Sequence, residues 1–473
     1  MFPLVSKQLR CLAVAAMAAA MPATAFAQNA QSDHAPSENV ISSSVSQPVL
    51  QPEVGAFSSG GSIPCEAIGR DDLLTSPADD CATRKTLFGD PLGLRAGLDE
   101  TGVSVLQFDL TQVYQGVASG GREQVSRYGG HSDLVIRTDF GKMGGPKGLF
   151  LQVRGEGNYG ESIGSEAGIL LPPALQTQLP VSNERNYAVT NFLFTQMFSE
   201  TFGVFFGKSD TLDSDKNAFA SGRGKTQFLN AAFVFNSAVA QPIPYSTLMA
   251  GFAIVTPDQE PILFFSVMNP TDTTTTIGLD DVYSDGAIVA SVLRLPTKFF
   301  GRPGHQLIGG LWSSRDVVAL DQDPRVLLPA LGLPGASIQQ TGGSWAVFYN
   351  MDQYLFVDPA NKERGWGFFA RYGAADPETN LVSHFASGGF GGSSLLPTRK
   401  ADTWGVGYYH TWISDSFVTK VARLQNAQGI EAYYRAMVTP YFDVTPDIQF
   451  LDGSLHADED WATILGVRAN LRF

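Results

Sequence analysis

Six histidines, three cysteines and one cationic glycine-rich run are the parts of this 473-residue chain whose types invite chemistry. His131, His305, His384 and His456 have no second His, Cys or paired acid at a metal-ligand spacing, and His34 lies in a polar N-terminal stretch. His410 falls between Tyr408 and Trp412 in an apolar phase. A lipase built on a barrel wall could use a histidine there, but it would need a serine two positions away for that base to activate. Positions 408 and 412 are Tyr and Trp instead. Gly222-Arg223-Gly224-Lys225-Thr226 resembles the end of a phosphate-binding loop, yet the motif's first glycine is missing and no helix is expected to follow. The polar residues 209–230 around it read as a loop that folds into or over an interior space. No catalytic residue, metal site or cofactor is expected, and the chain reads as a non-enzyme. Of the cysteines, Cys11 belongs to a leader, while Cys65 and Cys81 are left as an even pair in an oxidising compartment, either bridged or as two thiols.

The elements that position the remaining polar residues are strands. From Trp461 to Phe473 the odd positions run Trp461, Thr463, Leu465, Val467, Ala469, Leu471, Phe473, and the even ones end Arg468, Asn470, Arg472. That is period two, with one apolar face and one charged face. A half-buried soluble strand alternates too, but a membrane barrel needs this pattern to face lipid on one side and water on the other. The N-terminus favours the barrel. Lys7 and Arg10, an apolar run over Cys11–Met21 and Ala25-Phe26-Ala27 form the three regions of a secretory signal peptide.

The expected organisation is a signal peptide over 1–27, a disordered N-terminus over 28–61 and a periplasmic lead-in over 62–98. An outer-membrane β-barrel follows over 99–473. A short helix is expected near 91–99. Loss of Lys7 and Arg10, with no acid, moves the formal charge from −14 to −16. This acidic balance argues against nucleic acid as a partner. Only 16% of residues are charged, below the usual share of a soluble domain, as suits a wall in contact with lipid.

Alternation recurs along the chain. Leu106, Phe108 and Leu110 oppose Gln107, Asp109 and Thr111, and Leu134 and Ile136 oppose Asp133, Val135 and Arg137. Leu151 and Val153 oppose Arg154 and Glu156, and Trp366, Phe368 and Tyr372 oppose Phe369 and Arg371. Similar segments lie at 344–352, 404–412, 431–438 and 442–450, with two strands of unfixed face at 187–207. About a dozen strands emerge this way. Stretches 160–184, 321–341 and 376–401 read as extracellular loops. The apolar faces end in Trp345, Trp366, Tyr372, Trp404 and Trp412, as an aromatic girdle would.

On this phase the lumen wall carries Asp109, Asp133, Arg137, Arg154, Glu156, Arg371, Glu431, Arg435, Asp443, Asp447, Arg468 and Arg472. Each is expected as a solvated group on a wet wall, both signs together tuning selectivity. A phosphate pore would need an excess of cations, so neutral polar solutes fit better. Phe348, Phe369, Tyr409 and Tyr433 fall in the lumen phase and could lie against the C–H faces of sugars.

The C-terminal third resembles the carbohydrate-selective porins of Gram-negative outer membranes, the OprB type. The stretches that carry the resemblance are Gly367-Phe368-Phe369-Ala370-Arg371-Tyr372-Gly373, Phe385-Ala386-Ser387-Gly388-Gly389-Phe390-Gly391-Gly392 and Leu396-Pro397-x-Arg399, then Asp402-Thr403-Trp404-Gly405-Val406-Gly407-Tyr408-Tyr409. Gly429-Ile430-Glu431-Ala432-Tyr433-Tyr434 and Val438-Thr439-Pro440-Tyr441-Phe442 continue it, and Leu87-Phe88-Gly89-Asp90 matches the family's opening segment, with Pro91-Leu92 where Trp-Gly is expected. The resemblance implies an all-β, transmembrane, antiparallel up-and-down barrel of 16 strands that passes glucose-like sugars by facilitated diffusion. It carries over Arg371, Arg399 and Arg435 as constriction candidates, beside the pore-lining candidates Phe369, Tyr409, Glu431, Tyr433, Asp447, Arg468 and Arg472. Expected partners are outer-membrane lipid, sugar solutes, the barrel-assembly machinery acting on the strand that ends in Phe473, and further copies of the chain, trimers being common among porins. A general or organic-acid channel, or a surface β-protein acting as an adhesin, are the alternatives.

Overall fold

Sixteen antiparallel strands close into one barrel, each bonded to its sequence neighbours and β1 to β16. The computed structural model describes residues 86–473 apart from 88, 91–92, 182–185, 258–259, 281, 332–333, 453–454 and 456–459. The signal peptide, the 28–61 segment and the Cys65–Cys81 pair lie outside the described residues. The strands are β1 (Val103–Ser119), β2 (Ser126–Asp139), β3 (Leu149–Gly160), β4 (Tyr187–Met197), β5 (Phe202–Asp210), β6 (Ser246–Val255), β7 (Pro261–Met268) and β8 (Ile288–Phe299). They continue as β9 (Arg302–Val318), β10 (Gln340–Asp358), β11 (Asn361–Ala375), β12 (Val382–Ser393), β13 (Thr403–Ile413), β14 (Ala427–Thr439), β15 (Phe442–Leu451) and β16 (Ala462–Arg472).

Alternation explains the closure. Every second side chain points out and is apolar, as with Tyr114, Phe206, Ile308, Trp312, Leu465 and Val467, all exposed on the outer face. A closed ring of strands leaves no unpaired backbone edge, which a hydrocarbon surround demands. The seam between β1 and β16 is in register, with Thr111 opposite Asn470 and their side chains bonded at 3.0 Å. A short helix, α1 (Leu94–Glu100), covers this seam from one end. Asp90 accepts from the backbone N–H groups of Arg95 and Ala96 at its start, and Arg95 donates to the carbonyl of Phe473. Phe473 in turn donates its N–H to Phe108 and packs its ring 5.0 Å from that of Phe108.

Turns after most even-numbered strands are short, at 198–201, 256–260, 300–301, 359–360 and 440–441. The connections at the other end are longer, at 161–186, 211–245, 269–287 and 319–339. Two of these, 161–186 and 211–245, turn inward. The largest buried side chains, among them Arg223, Phe228, Phe233, Phe369, Tyr409 and Arg468, therefore lie inside the ring.

Alternation alone undercounts the strands. Residues 376–401 are not one loop, since β12 crosses within them. Its inward positions include Gly389 and Gly391 and its outward ones Gly388 and Gly392, so polarity barely alternates. β6 to β9 also escape the pattern, because many of their inward positions are apolar as well. Met249, Met268, Ile288, Leu307 and Leu311 are all buried on the lumen side.

Candidate functional site

The loop 211–245 builds the site. Asn217 starts its crossing, accepting from the N–H groups of Phe219 and Ala220 and donating to Asn350 Oδ1 at 2.6 Å and to the carbonyl of Met351 at 2.9 Å. Ala218 N–H donates to Asp352 on the same strand, β10. The chain then reverses through Gly222, Arg223 and Gly224, at φ 70°, 51° and 75°. Glycine adopts this left-handed region freely, whereas a residue with a Cβ there is strained by about 1–3 kcal/mol and must be held by its surroundings.

Arg223 is so held. Its guanidinium bonds Glu156 Oε1 and Asp210 Oδ1, each at 2.8 Å, and the phenol of Tyr245 at 2.9 Å, and lies 3.2 Å from Asp213. Tyr245 also donates to Glu156 at 2.7 Å. Burial, with the charge of Glu156, pushes the Tyr245 phenol well up, so it stays a donor. Arg154 closes the lattice from β3, reaching Asp133, Asp210 and Asp213 at 3.3, 2.9 and 3.0 Å. Lys225 sits 2.6 Å from Asp133 and 3.5 Å from Asp109. The lattice joins β1, β2, β3 and β5 to the loop.

The opposite side of the loop is held by backbone recognition. Arg468 donates to the carbonyls of Gly224 and Gln227 at 2.6 and 2.8 Å, and Glu431 accepts from the N–H groups of Leu229 and Asn230 at 2.6 and 2.9 Å. Arg371 reaches Asp215 and the Phe233 carbonyl at 2.8 and 2.9 Å, and also bonds the Ala220 carbonyl. Charges paired and hydrogen-bonded in this way can remain buried, and loss of one partner is what costs.

The lumen aromatics belong to the same grip. Phe228 and Phe233 of the loop stack at 4.4 Å. Phe228 meets Phe369 at 5.5 Å and Tyr433 at 4.9 Å, and Phe233 meets Tyr409 at 5.8 Å. Glycines of the wall leave room for them: a Cβ at Gly405 would press on Phe228 and one at Gly407 on Phe233.

The expected pore residues thus take three places. Arg371, Glu431, Arg468, Phe369, Tyr409 and Tyr433 face inward but are covered by the loop, and Phe369 and Tyr409 are about 1% and 0% exposed. The solvated wall expected at these positions is replaced by a docking surface, because the loop supplies the partners that water would. Arg435 and Arg472 share Asp443, each at 2.7 Å, and Asp447 accepts from Gln449 at 2.9 Å. Arg399 lies in the 394–402 turn, 2.6 Å from Asp402, with about two-fifths of its side chain exposed. It is set apart from the loop's anchors.

Beside the loop a cavity of about 920 Å³ remains. The loop contributes Lys216, Asn217, Ser221, Thr226 and Gln227 to it, and the expected pore residues Tyr433 and Arg435 also line it. β5 to β10 contribute a largely apolar wall with Arg294. At this wall Glu260 takes Lys216 at 3.1 Å and Arg294 at 3.0 Å. Partial burial pushes the Glu260 carboxyl up, but Lys216, Arg294 and His305 together hold it below the usual carboxylate range. Sequence reasoning missed Arg223, Lys225, Lys216, Arg294 and Glu260 as site residues. The signal available for the first two was a cationic glycine run without its phosphate-motif partner.

Two other side chains invite a different chemistry. His410 is outward, 4.3 Å from Trp412 and 3.4 Å from the Tyr408 phenol. Gly160-Glu161-Ser162-Ile163-Gly164 carries the letters of a nucleophile elbow. Ser162 Oγ accepts from Gly164 N–H at 3.4 Å, and none of its described bonds is to a histidine. Among the described residues no three His, Cys, Asp or Glu side chains group as a metal site would require.

The comparisons with known proteins speak to the family and the fold. A family model described as carbohydrate-selective porin, OprB family, matches residues 123–473. Among solved structures, Pseudomonas putida OprB at high pH matches with a TM-score of 0.70 at 20% identity, over 82% of this chain and 98% of that chain. The low-pH structure of the same protein matches with a TM-score of 0.50 at 16% identity, over 82% and 98%. A search of curated protein sequences finds no match.

Proposed function

The chain belongs to the carbohydrate-selective porin family, OprB type, and on that premise we propose that it is a channel of the Gram-negative outer membrane through which small sugars diffuse down their gradient. The observation that carries the reading is the seated loop: 211–245 fills one side of the barrel and leaves a cavity of about 920 Å³ beside it. Charges beside the cavity are paired, Glu260 with Lys216 and Arg294 and Arg435 with Asp443, while Arg371 with Asp215 and Arg223 with Glu156 and Asp210 are buried under the loop. Charges paired in this way give an ion less field than free ones would, while Ser221 and Thr226 offer hydroxyls to a hydroxyl-rich solute.

The long connections face the exterior and the short turns, with α1, the periplasm, as in barrels generally. Lipid covers the outward apolar band. The assembly machinery recognises the strand ending at Phe473, and copies of the chain associate as a homo-oligomer. Transport involves no catalytic step and no energy coupling. The test is solute uptake into proteoliposomes across a panel of sugars and anions of similar size. Glucose is expected to enter faster than gluconate. Equal rates would support a general pore instead, and recovery of the protein in a detergent-free soluble fraction would remove the channel altogether.

A further inference from the structure

The inner wall of β5 to β10 departs from ordinary pore chemistry. Inward positions of a water-filled barrel are polar, because they meet water. Here each of six consecutive strands turns an apolar side chain to the cavity: Phe205, Met249, Phe264, Val292, Leu311 and Phe348. The pairing register makes them one surface, with Phe264 opposite Val292, Val292 opposite Gly309 and Gly309 opposite Phe348. Two glycines flatten it. The Phe205 ring reaches across β6 above Gly251, where a Cβ would lie 2.6 Å from it, and stacks on Phe264 with centroids 4.7 Å apart and planes 8° apart. The Phe348 ring lies over Gly309, where any Cβ would collide with it. The rings therefore run along the wall and offer flat apolar faces. Across the cavity stand the loop hydroxyls of Ser214, Ser221 and Thr226.

We propose that this channel prefers sugars carrying an aromatic aglycone, the aryl glycosides, with the aglycone ring against the β5–β10 wall and the sugar hydroxyls toward the loop. The inference rests on the sugar-channel reading and narrows its substrate class. Two-sidedness selects the occupant: a bare sugar can lay one C–H face on this wall but covers only part of six apolar side chains, and an apolar solute has no use for the loop's hydroxyls. The aglycone is uncharged, since Lys216 and Arg294 at this wall are both engaged by Glu260. A volume of about 920 Å³ holds a ring and a sugar together.

The test uses the full protein in proteoliposomes, with labelled glucose as the transported solute and phenyl β-glucoside or methyl β-glucoside as competitor. Covering one ring face against the wall should let phenyl β-glucoside inhibit at an about tenfold lower concentration than methyl β-glucoside. Val292→Thr, nearly isosteric and good in a strand, and Phe264→Thr should each shrink that ratio, and together bring it near one. Equal inhibition by the two glucosides in the unmodified protein, with glucose uptake intact, overturns the inference and leaves the sugar channel standing. An unchanged ratio in both variants also overturns it. Absence of glucose uptake overturns the sugar-channel reading and this inference with it.

Discussion

Arg223 shows how single residues set the pathway. It is a non-glycine held at φ 51° between two glycines, and its side chain is bonded to Glu156, Asp210 and Tyr245 from the wall and the loop's far end. Arg223→Ala would leave Glu156 and Asp210 buried with fewer partners, at about 3–5 kcal/mol against the seated loop. Single-channel conductance in a planar bilayer should then rise and become noisier, while the strands, whose bonds do not pass through Arg223, still close. On the strands that alternate, the face on which a polar residue lies was legible in the sequence, because side chains alternate every second position. Its partner was not. Arg468 bonds the carbonyl of Gly224, 244 positions away, and Glu431 accepts from Leu229, 202 away. Alternation assigns a residue to the lumen but says nothing of what else enters it. Charges expected as solvated groups proved to be anchors for that reason.

The elements divide by how well they announce themselves. β1 to β3 and β13 to β16 alternate cleanly, since their inner face is polar. β6 to β9 do not, since the inner face against the cavity is apolar, and a strand apolar on both faces carries no period-two signal. The glycine-rich stretches on β12 and β13 drew attention as family signatures, and the structure supplies their physical use. Gly405 and Gly407 form a floor on which Phe228 and Phe233 of the loop rest. A side chain on that floor should lift the loop. Gly407→Leu would overpack the contact by about 1–3 kcal/mol, and limited trypsin digestion should then cut after Arg223 or Lys225 at a rate well above that of the unmodified protein. Both sites are about 2–3% exposed when the loop is seated.

At the scale of the whole molecule, closure and constriction are separate tasks given to separate sequence features. Outward apolar side chains and an unbroken ladder from β1 to β16 make the ring, and this much follows from periodicity with the count of sixteen coming from family resemblance. The inward course of 211–245 narrows the ring, and only its polarity and glycine content hinted at that. On the proposed function, solute passes between this loop and the β5–β10 wall, not through the half of the barrel that the loop fills. The most direct measurement places a cysteine at Ser221, which lines that gap, in a protein whose Cys65 and Cys81 are changed to serine, and attaches a bulky thiol reagent after reconstitution. With labelling verified by mass, glucose uptake into the proteoliposomes should fall to a small fraction of the unlabelled rate. Undiminished uptake through fully labelled protein would contradict the account.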